Sequence, residues 1–299
     1  MQLSPTEIFN GKKIFLLGGT GFLGKVCLCM LLSRFPNVSR IYMMVRAGSD
    51  SDSAARFWDI VNSSPVFDLL RERYGSAFEG FLREKVIIVG GDISENNMGY
   101  SEDFAQMLAN DVDVIINSSG NVTFNPALDA ALRTNVVGAQ NVVAFAKRMK
   151  RPALVHVSTC FVAGNRSGSV WESDPVIGYF PRRQELTADF SVEKELRDCE
   201  AIKRRVQDES NDVVINARFR EEARLRLIEE KRDPDDERTL QTAIARERKV
   251  WIRERLTDLG VERAKWWGWP NIYTYTKSLG EQVVAVENDI AWAIVRPSI

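Results

Sequence analysis

The sequence predicts an α/β fold in which a doubly wound parallel sheet carries helices on both faces and receives a charged helical insertion. Short β-branched runs alternate with segments of helical apolar spacing through the first half of the chain. The strand runs are continuously apolar, which predicts burial on both faces and therefore a parallel sheet. A long, highly charged stretch then interrupts this alternation before an apolar strand returns near the end.

Six strands are expected in chain order. The runs that predict them are 13–19, 40–46, 85–92, 112–119, 153–159 and the apolar part of "IAWAIVRPSI" at 290–299. Residues 21–35 form an amphipathic pattern that predicts the first crossover helix, and further helices are expected between the later strands. Because the sixth strand is followed at once by the end at Ile299, we expect further chain beyond it.

The charged stretch covers residues 194–263 and holds 18 basic and 18 acidic residues. Apolar residues recur within it at helical spacing, for example at Leu196, Cys199, Ile202 and Val206. Residues 210–212 and Pro234 are expected breaks, so the pattern predicts two or three solvated helices, with a disordered linker as the alternative. Because balanced charge is typical of a solvent-exposed helix surface, no catalytic or binding role is assigned to this stretch.

Composition excludes several classes of function. The net charge of −1 provides no basic field for nucleic acid. The one histidine, His156, lies in an apolar strand run, and the four cysteines lack metal-ligand spacing, so no metal is expected. The sequence contains neither a signal pattern at its start nor an apolar run of about 18 residues, and the cysteines are expected as free thiols. These features predict a cytoplasmic protein.

The motif "GGTGFLG" places glycines at the end of the first strand and the start of the first helix. Gly18 allows a tight turn, Gly21 allows close approach of the backbone to a pyrophosphate, and Gly24 allows the helix to pack on the sheet. The helix N-terminus offers free N–H groups to phosphate. The motif therefore predicts a Rossmann dinucleotide site. The residues expected to bind the cofactor here are Gly18, Thr20, Gly21, Phe22, Leu23 and Gly24.

The end of the second strand distinguishes the two nicotinamide cofactors. NAD-binding proteins usually carry an acidic residue there for the ribose hydroxyls, whereas this chain has Arg46 in "MMVRAGSD". A guanidinium suits a 2′-phosphate, so the sequence predicts NADPH, with Arg56 as a second contact. The alternative is an exposed arginine without a cofactor role.

Two further segments predict a catalytic set. The fifth strand ends in Ser158 and Thr159, and "NIYTYTKSLGEQ" predicts a helix over 271–284. In that helix Tyr273 lies four residues before Lys277 and shares its face, while Tyr275 points to nearly the opposite side. A phenol beside an ammonium is a candidate general acid. Tyr275 is expected to serve packing.

The chain resembles the extended short-chain dehydrogenase/reductase superfamily and, within it, the NAD(P)-binding domain of bacterial alcohol-forming fatty acyl-CoA reductases. The resemblance rests on "GGTGFLG", "VRA", "GD" at 91–92, "NVVG", "HVSTCFVAG" and "YTYTKSLGEQ", and covers almost the whole chain. It implies Thr159 as the hydroxyl that binds the substrate oxygen, Tyr273 as the acid and Lys277 as the ribose ligand that lowers the tyrosine pKa. Further cofactor contacts that it implies are Asp92, Ile93, Asn117 and Ser118. The segment "NSSGNVTF" departs from the alanines common there.

The charge pattern and the resemblance together predict the domain organisation. Residues 1–193 are the first part of an NADPH-binding Rossmann domain, 194–263 the helical insertion, and 264–299 the catalytic helix and sixth strand. A substrate-binding part is expected beyond Ile299.

The reaction implied by the resemblance is NADPH-dependent reduction of a fatty acyl-CoA thioester to the aldehyde and then to the alcohol. Three alternatives stay open. A thioester reductase domain would take its acyl group from a carrier protein and release an aldehyde or alcohol. A nucleotide-sugar epimerase or dehydratase would share the glycine turn and the Tyr-Lys pair, but it usually retains NAD, which Arg46 disfavours. The third is a non-catalytic NADPH-binding scaffold.

The expected partner is fatty acyl-CoA, and the resemblance leaves open peripheral membrane contact and the oligomeric state.

Overall fold

The computed structural model describes residues 4–48 and 52–298. The outermost positions of the expected ranges 1–193 and 264–299 therefore lie outside the described residues. The chain folds into two compact units, which we call the Rossmann unit (1–121, 133–162 and 277–299) and the helical unit (122–132 and 163–276). The expected insertion at 194–263 falls within the helical unit, and the proposed three-part division stays a prediction.

The Rossmann unit contains one parallel sheet of six strands in the order β3-β2-β1-β4-β5-β6. Every strand coincides with one of the runs that predicted it. The strands are β1 Lys13–Leu17, β2 Arg40–Val45, β3 Val86–Gly90, β4 Val114–Asn117, β5 Ala153–Val157 and β6 Ala291–Val295. The order reverses between β1 and β4, and ligands bind at such a reversal, beyond the carboxyl ends of the strands. The doubly wound fold is confirmed.

Twelve α-helices are found in the described ranges. They are α1 Pro5–Phe9, α2 Phe22–Arg34, α3 Ser53–Ser63, α4 Asp68–Tyr74, α5 Phe78–Lys85, α6 Glu102–Asp111, α7 Leu128–Leu132, α8 Gly138–Ala146, α9 Val192–Glu209, α10 Val213–Glu229, α11 Glu237–Trp267 and α12 Ile272–Ala285. A π-helical turn, Arg133–Val137, joins α7 to α8. Of the helices described, none has the length and apolar character needed to cross a membrane.

Both faces of the sheet carry helices. On one face Ile14, Leu16 and Ile41 pack with buried side chains of α2 to α5. On the other, the Phe15 ring lies 5.2 Å from that of Phe145 in α8. The edge strand β6, which has only β5 as a neighbour in the sheet, is mostly exposed, unlike the two-sided burial that its apolar sequence predicts.

The helical unit contains the three charged helices α9, α10 and α11, so the expectation of ordered helices is confirmed. The breaks occur at 210–212 and around Pro234, as predicted. Ser191, Asp212 and Asp236 cap the three N-termini by accepting hydrogen bonds from first-turn N–H groups. Small apolar clusters hold the helices together, one of them formed by Ala223, Leu227, Leu240 and Ala243.

Candidate functional site

The glycine turn follows β1 and closes against the end of β4. Gly18 has a φ of +76°, and a Cβ placed on it would lie 2.5 Å from the carbonyl carbon and oxygen of Ser118. A Cβ on Gly24 would lie 2.2 Å from the Gly18 carbonyl oxygen. No L-residue with a side chain fits either position without a shift of the backbone. These contacts explain why the turn needs glycine at both places.

The first turn of α2 is open to an anion. Gly21 precedes the helix and has no side chain to cap it, and no acidic residue occupies its first turn. A Cβ on Gly21 would meet only the Gly18 carbonyl oxygen, at 3.4 Å, so this side of the turn leaves room for a close approach. Unpaired N–H groups and the helix dipole favour a phosphate there. The glycine turn and the first turn of α2 together fit the pyrophosphate of a dinucleotide. The side chain of Phe22, the first residue of α2, is exposed to solvent.

Arg46 and Asp92 lie together beyond the carboxyl ends of β2 and β3. A guanidinium nitrogen of Arg46 is 3.7 Å from a carboxylate oxygen of Asp92, and the Arg46 side chain is 64% exposed. Burial raises the pKa of Asp92, but hydrogen bonds from Ser94 and the charge of Arg46 outweigh it, so the pKa lies below its usual value. Asp92 is therefore an anion that pairs with Arg46. Arg56 donates from its guanidinium to the Arg46 carbonyl oxygen at 3.0 Å.

Two of the residues expected to contact the cofactor turn their side chains into the protein. Ile93 is buried and packs against Gly138, where a Cβ would lie 2.7 Å from the Ile93 Cδ1. Asn117 is also buried. Its amide nitrogen lies 3.2 Å from His156 Nδ1, and its oxygen accepts a hydrogen bond from the Ser119 N–H at 3.1 Å. Contacts to a cofactor from these two positions would come from their backbones.

The end of β5 presents two buried hydroxyl groups. Thr159 Oγ1 accepts the Phe161 backbone N–H at 3.3 Å, which leaves the hydroxyl hydrogen able to donate. Ser158 Oγ is buried and has no hydrogen-bond partner within residues 4–48 and 52–298. Buried hydroxyls are normally paired, so an unpaired one at a strand end indicates a place for a polar ligand atom.

Lys277 lies in α12 and is 4% exposed. Its ammonium donates a hydrogen bond to the Val157 carbonyl oxygen at 2.8 Å, at the end of β5. Burial lowers the pKa of Lys277 to about 8, although the carboxylate of Glu281 acts in the opposite direction. The ammonium is therefore held at the carboxyl edge of the sheet. A Cβ on Gly120 would lie 4.0 Å from it, so the backbone after β4 passes close by.

The π-helical turn at Arg133–Val137 holds Asn135, which is buried. Its amide oxygen accepts the Asn121 N–H at 2.8 Å, and its amide nitrogen donates to the Asn121 carbonyl oxygen at 3.2 Å. The Asn135 carbonyl oxygen lies against Gly280 of α12, where a Cβ would approach it to 2.4 Å. Single π-turns occur often at functional sites. This residue was not singled out from the sequence, although it begins the motif "NVVG".

Tyr273 lies in the first turn of α12, in the part that belongs to the helical unit. Its backbone N–H donates to the Phe124 carbonyl oxygen at 3.0 Å, and the two rings are 6.3 Å apart. Phe124 is 67% exposed. The helix at 272–285 confirms the spacing that puts Tyr273 on the face of Lys277.

Tyr275 is fully buried, and packing is only part of its role in the structure. Its hydroxyl donates to Glu195 at 2.5 Å, and its ring packs 5.4 Å from that of Trp269. Glu195 was overlooked in the sequence because it lies within the balanced charges of α9. Its spacing is nevertheless informative, because Glu195 lies four residues before Cys199 and therefore on the apolar face of the helix.

Comparison with known proteins identifies the family of this chain. The model of the NAD-binding family described as male sterility protein matches residues 16–299. A chloroplastic fatty acyl-CoA reductase 2 from Arabidopsis thaliana is 32% identical, over 99% of this chain and 43% of its own length. An alcohol-forming fatty acyl-CoA reductase from Simmondsia chinensis is 31% identical, over 99% of this chain and 53% of its own length. The chain thus spans about half the length of these relatives.

Among solved structures, the terminal R domain of the myxalamid PKS-NRPS pathway aligns with a TM-score of 0.47. It is 27% identical in sequence, and the alignment covers 56% of this chain and 40% of that domain.

Proposed function

Because the chain belongs to the male sterility protein family, we propose that it is the cofactor-binding and catalytic part of an NADPH-dependent fatty acyl-CoA reductase. The products are the fatty aldehyde and then the fatty alcohol. The observation that carries this proposal is the likeness to the Simmondsia chinensis enzyme over 99% of the chain. The residues at the carboxyl ends of the strands supply the groups that such a reaction needs.

The family binds a nicotinamide cofactor through this domain. We propose NADPH because Arg46 presents a largely exposed guanidinium at the end of β2. Asp92 and Arg56 support it, the first through the ion pair and the second through the hydrogen bond to the Arg46 carbonyl oxygen. The glycine turn and the first turn of α2 bind the pyrophosphate.

When bound, NADPH would supply the hydride that reduces the thioester carbonyl carbon. The hemithioacetal so formed would release CoA as the free thiol when its C–S bond breaks, leaving the aldehyde, and a second hydride and proton would reduce the aldehyde to the alcohol. Tyr273 donates its phenolic proton to the oxygen on which negative charge develops. Thr159 binds the same oxygen through its hydroxyl hydrogen, since its own oxygen already accepts the Phe161 N–H. Lys277 binds the nicotinamide ribose, and its positive charge favours the phenolate that remains after proton transfer.

Product analysis tests this proposal. The full-length natural protein is incubated with NADPH and saturated acyl-CoAs of increasing chain length, and the aldehyde, the alcohol and free CoA are measured. We expect alcohol and CoA to appear together with oxidised NADPH, and Tyr273→Phe to form neither product. The same acyl groups on a carrier protein form the second arm. Turnover of the carrier-bound group alone, or release of the aldehyde alone, would overturn the assignment to an alcohol-forming acyl-CoA reductase.

A further inference from the structure

Glu195 is a fully buried carboxylate in the middle of the helical unit. Its two oxygens accept four hydrogen bonds from three residues. Arg263 donates twice, from Nε at 2.8 Å and from Nη2 at 2.8 Å, while Trp267 Nε1 donates at 2.9 Å and the Tyr275 hydroxyl at 2.5 Å. A buried charge that is both paired and saturated with donors is held in a single geometry.

These four residues come from three helices. Glu195 belongs to α9, Arg263 and Trp267 lie one turn apart on α11, and Tyr275 belongs to α12. Arg263 is further held by Asp198, whose carboxylate lies at 2.6 Å. Burial, together with the negative charge of Glu195, raises the pKa of the Tyr275 phenol well above its usual value, so the hydroxyl keeps its proton and acts as the donor. The network therefore ties the start of α12 to α9 and α11, two of the three charged helices.

The start of α12 is also where Tyr273 lies, two residues before Tyr275. A rotation of about 200° separates the two side chains around the helix axis, at about 100° per residue. Holding Tyr275 on one side therefore determines where Tyr273 points on the other. The first turn of a helix lacks the full set of internal hydrogen bonds and frays easily unless something secures it. Here the first N–H groups have partners of their own, since Tyr273 N–H donates to the Phe124 carbonyl oxygen and Thr274 N–H to Asn271 Oδ1. Glu195 adds a side-chain tether to the same turn through the hydroxyl of Tyr275.

We propose that Glu195 is a positioning residue for Tyr273, acting through Tyr275, and that one task of the charged helices is to aim the catalytic tyrosine. This inference rests on the proposed function, in which Tyr273 is the general acid. A general acid must meet its acceptor at hydrogen-bond distance, and a displacement of about 1 Å costs up to about a hundredfold in rate. Loss of the tether should accordingly slow proton donation and leave cofactor binding unchanged.

Tyr275→Phe is the primary variant, because it removes one oxygen atom and keeps the ring against Trp269. Glu195→Gln is the second, and the double variant completes a thermodynamic cycle. The matched control is Glu247→Gln. Glu247, on α11, is another buried carboxylate that pairs with an arginine, Arg226 of α10, and among the described residues it has no bond to α12. Its substitution removes a comparable ion pair elsewhere in the same unit.

Two readouts are needed. The first is the single-turnover rate on acyl-CoA at saturating NADPH, together with the Kd for NADPH. We expect Tyr275→Phe to lower the rate about tenfold with the Kd unchanged, Glu195→Gln to lower it at least as much, and the double variant to add little. Glu247→Gln should keep the rate within about twofold, even where its melting temperature falls by as much as that of Glu195→Gln.

The second readout is hydrogen–deuterium exchange of the backbone amides at 273–276, which needs no substrate. We expect faster exchange there in Tyr275→Phe and in Glu195→Gln, and parental exchange in Glu247→Gln. A Tyr275→Phe rate within twofold of the parent, or parental exchange in that variant, would overturn the inference. If the parent protein reduces no acyl-CoA, the proposed function fails, and the exchange data still decide whether Glu195 secures the helix.

Discussion

The Lys277 ammonium donates a hydrogen bond to the carbonyl oxygen of Val157, the last residue of β5, at 2.8 Å. A single contact thus places a buried positive charge at the carboxyl edge of the sheet, where this fold binds its ligands. The same burial makes the charge sensitive to pH, because desolvation lowers the pKa of Lys277 from 10.5 to about 8.

The pH dependence of the reaction should follow that ammonium. Below pH 8 the charge is present, and it is lost as the pH rises through about 8, so kcat/KM for acyl-CoA should fall about tenfold per pH unit above that value. Measuring initial rates from pH 6.5 to 10 checks this. Lys277→Arg keeps its charge over this pH range, so its kcat/KM should not fall between pH 6.5 and 10. A flat profile in the parent protein would show that the ammonium is not required.

Tyr273→Phe should lower the single-turnover rate by about 10² to 10⁴, because it removes the proposed general acid. NADPH binding, measured by fluorescence titration, should stay unchanged, since in the proposed mechanism the lost hydroxyl serves the substrate. Lys277→Ala should weaken both binding and turnover. If Tyr273→Phe turned over as fast as the parent, the assignment of the acid would be wrong.

Arg46→Ala should cost about 1.5–3 kcal/mol of NADPH binding and little of NADH binding, because only NADPH carries the 2′-phosphate. Isothermal titration with both cofactors measures the difference. Arg40→Ala is the control, since Arg40 lies at the opposite, amino end of the same strand. Equal weakening of both cofactors by Arg46→Ala would contradict the role given to Arg46.

Gly24→Ala should destabilise the fold by about 1–3 kcal/mol and abolish cofactor binding, because its Cβ would lie 2.2 Å from the Gly18 carbonyl oxygen. Gly80→Ala provides the contrast. Gly80 lies in α5 with open space around its Cβ position, so alanine there should stabilise by about 0.5–1 kcal/mol. Urea unfolding of both variants measures the two effects, and an unchanged midpoint in Gly24→Ala would contradict the packing argument.

The sheet and its glycine turn could be predicted from the sequence because each is indicated by a short, local pattern of residues. Each strand is a short, continuously apolar run, and Gly24 is required by its contact with the Gly18 carbonyl oxygen six residues earlier. Gly18 itself was predictable from the motif, although the backbone that it meets, at Ser118, lies 100 positions away. The helix at 271–284 was equally predictable, together with the shared face of Tyr273 and Lys277, since helical spacing alone determines it.

Other features depend on partners that are distant in sequence. Glu195 meets Tyr275 across 80 positions, and nothing in the charge pattern of α9 distinguishes it from its solvated neighbours. The inward turn of Asn117 depends on His156, 39 positions away. The exposure of β6 is likewise not revealed by its apolar composition. Long-range pairing of this kind is decided by tertiary packing.

The π-helical turn at Arg133–Val137 has a consequence for insertions and deletions in this part of the chain. Deleting one residue from the turn would restore regular α-helical bonding and could raise the intrinsic stability of the helix. It would also shift the register by about 100°, carrying the Asn135 amide away from Asn121 and its carbonyl oxygen away from Gly280. Length variation in homologous chains should therefore avoid this turn and accumulate in the surface loops, where no register has to be preserved.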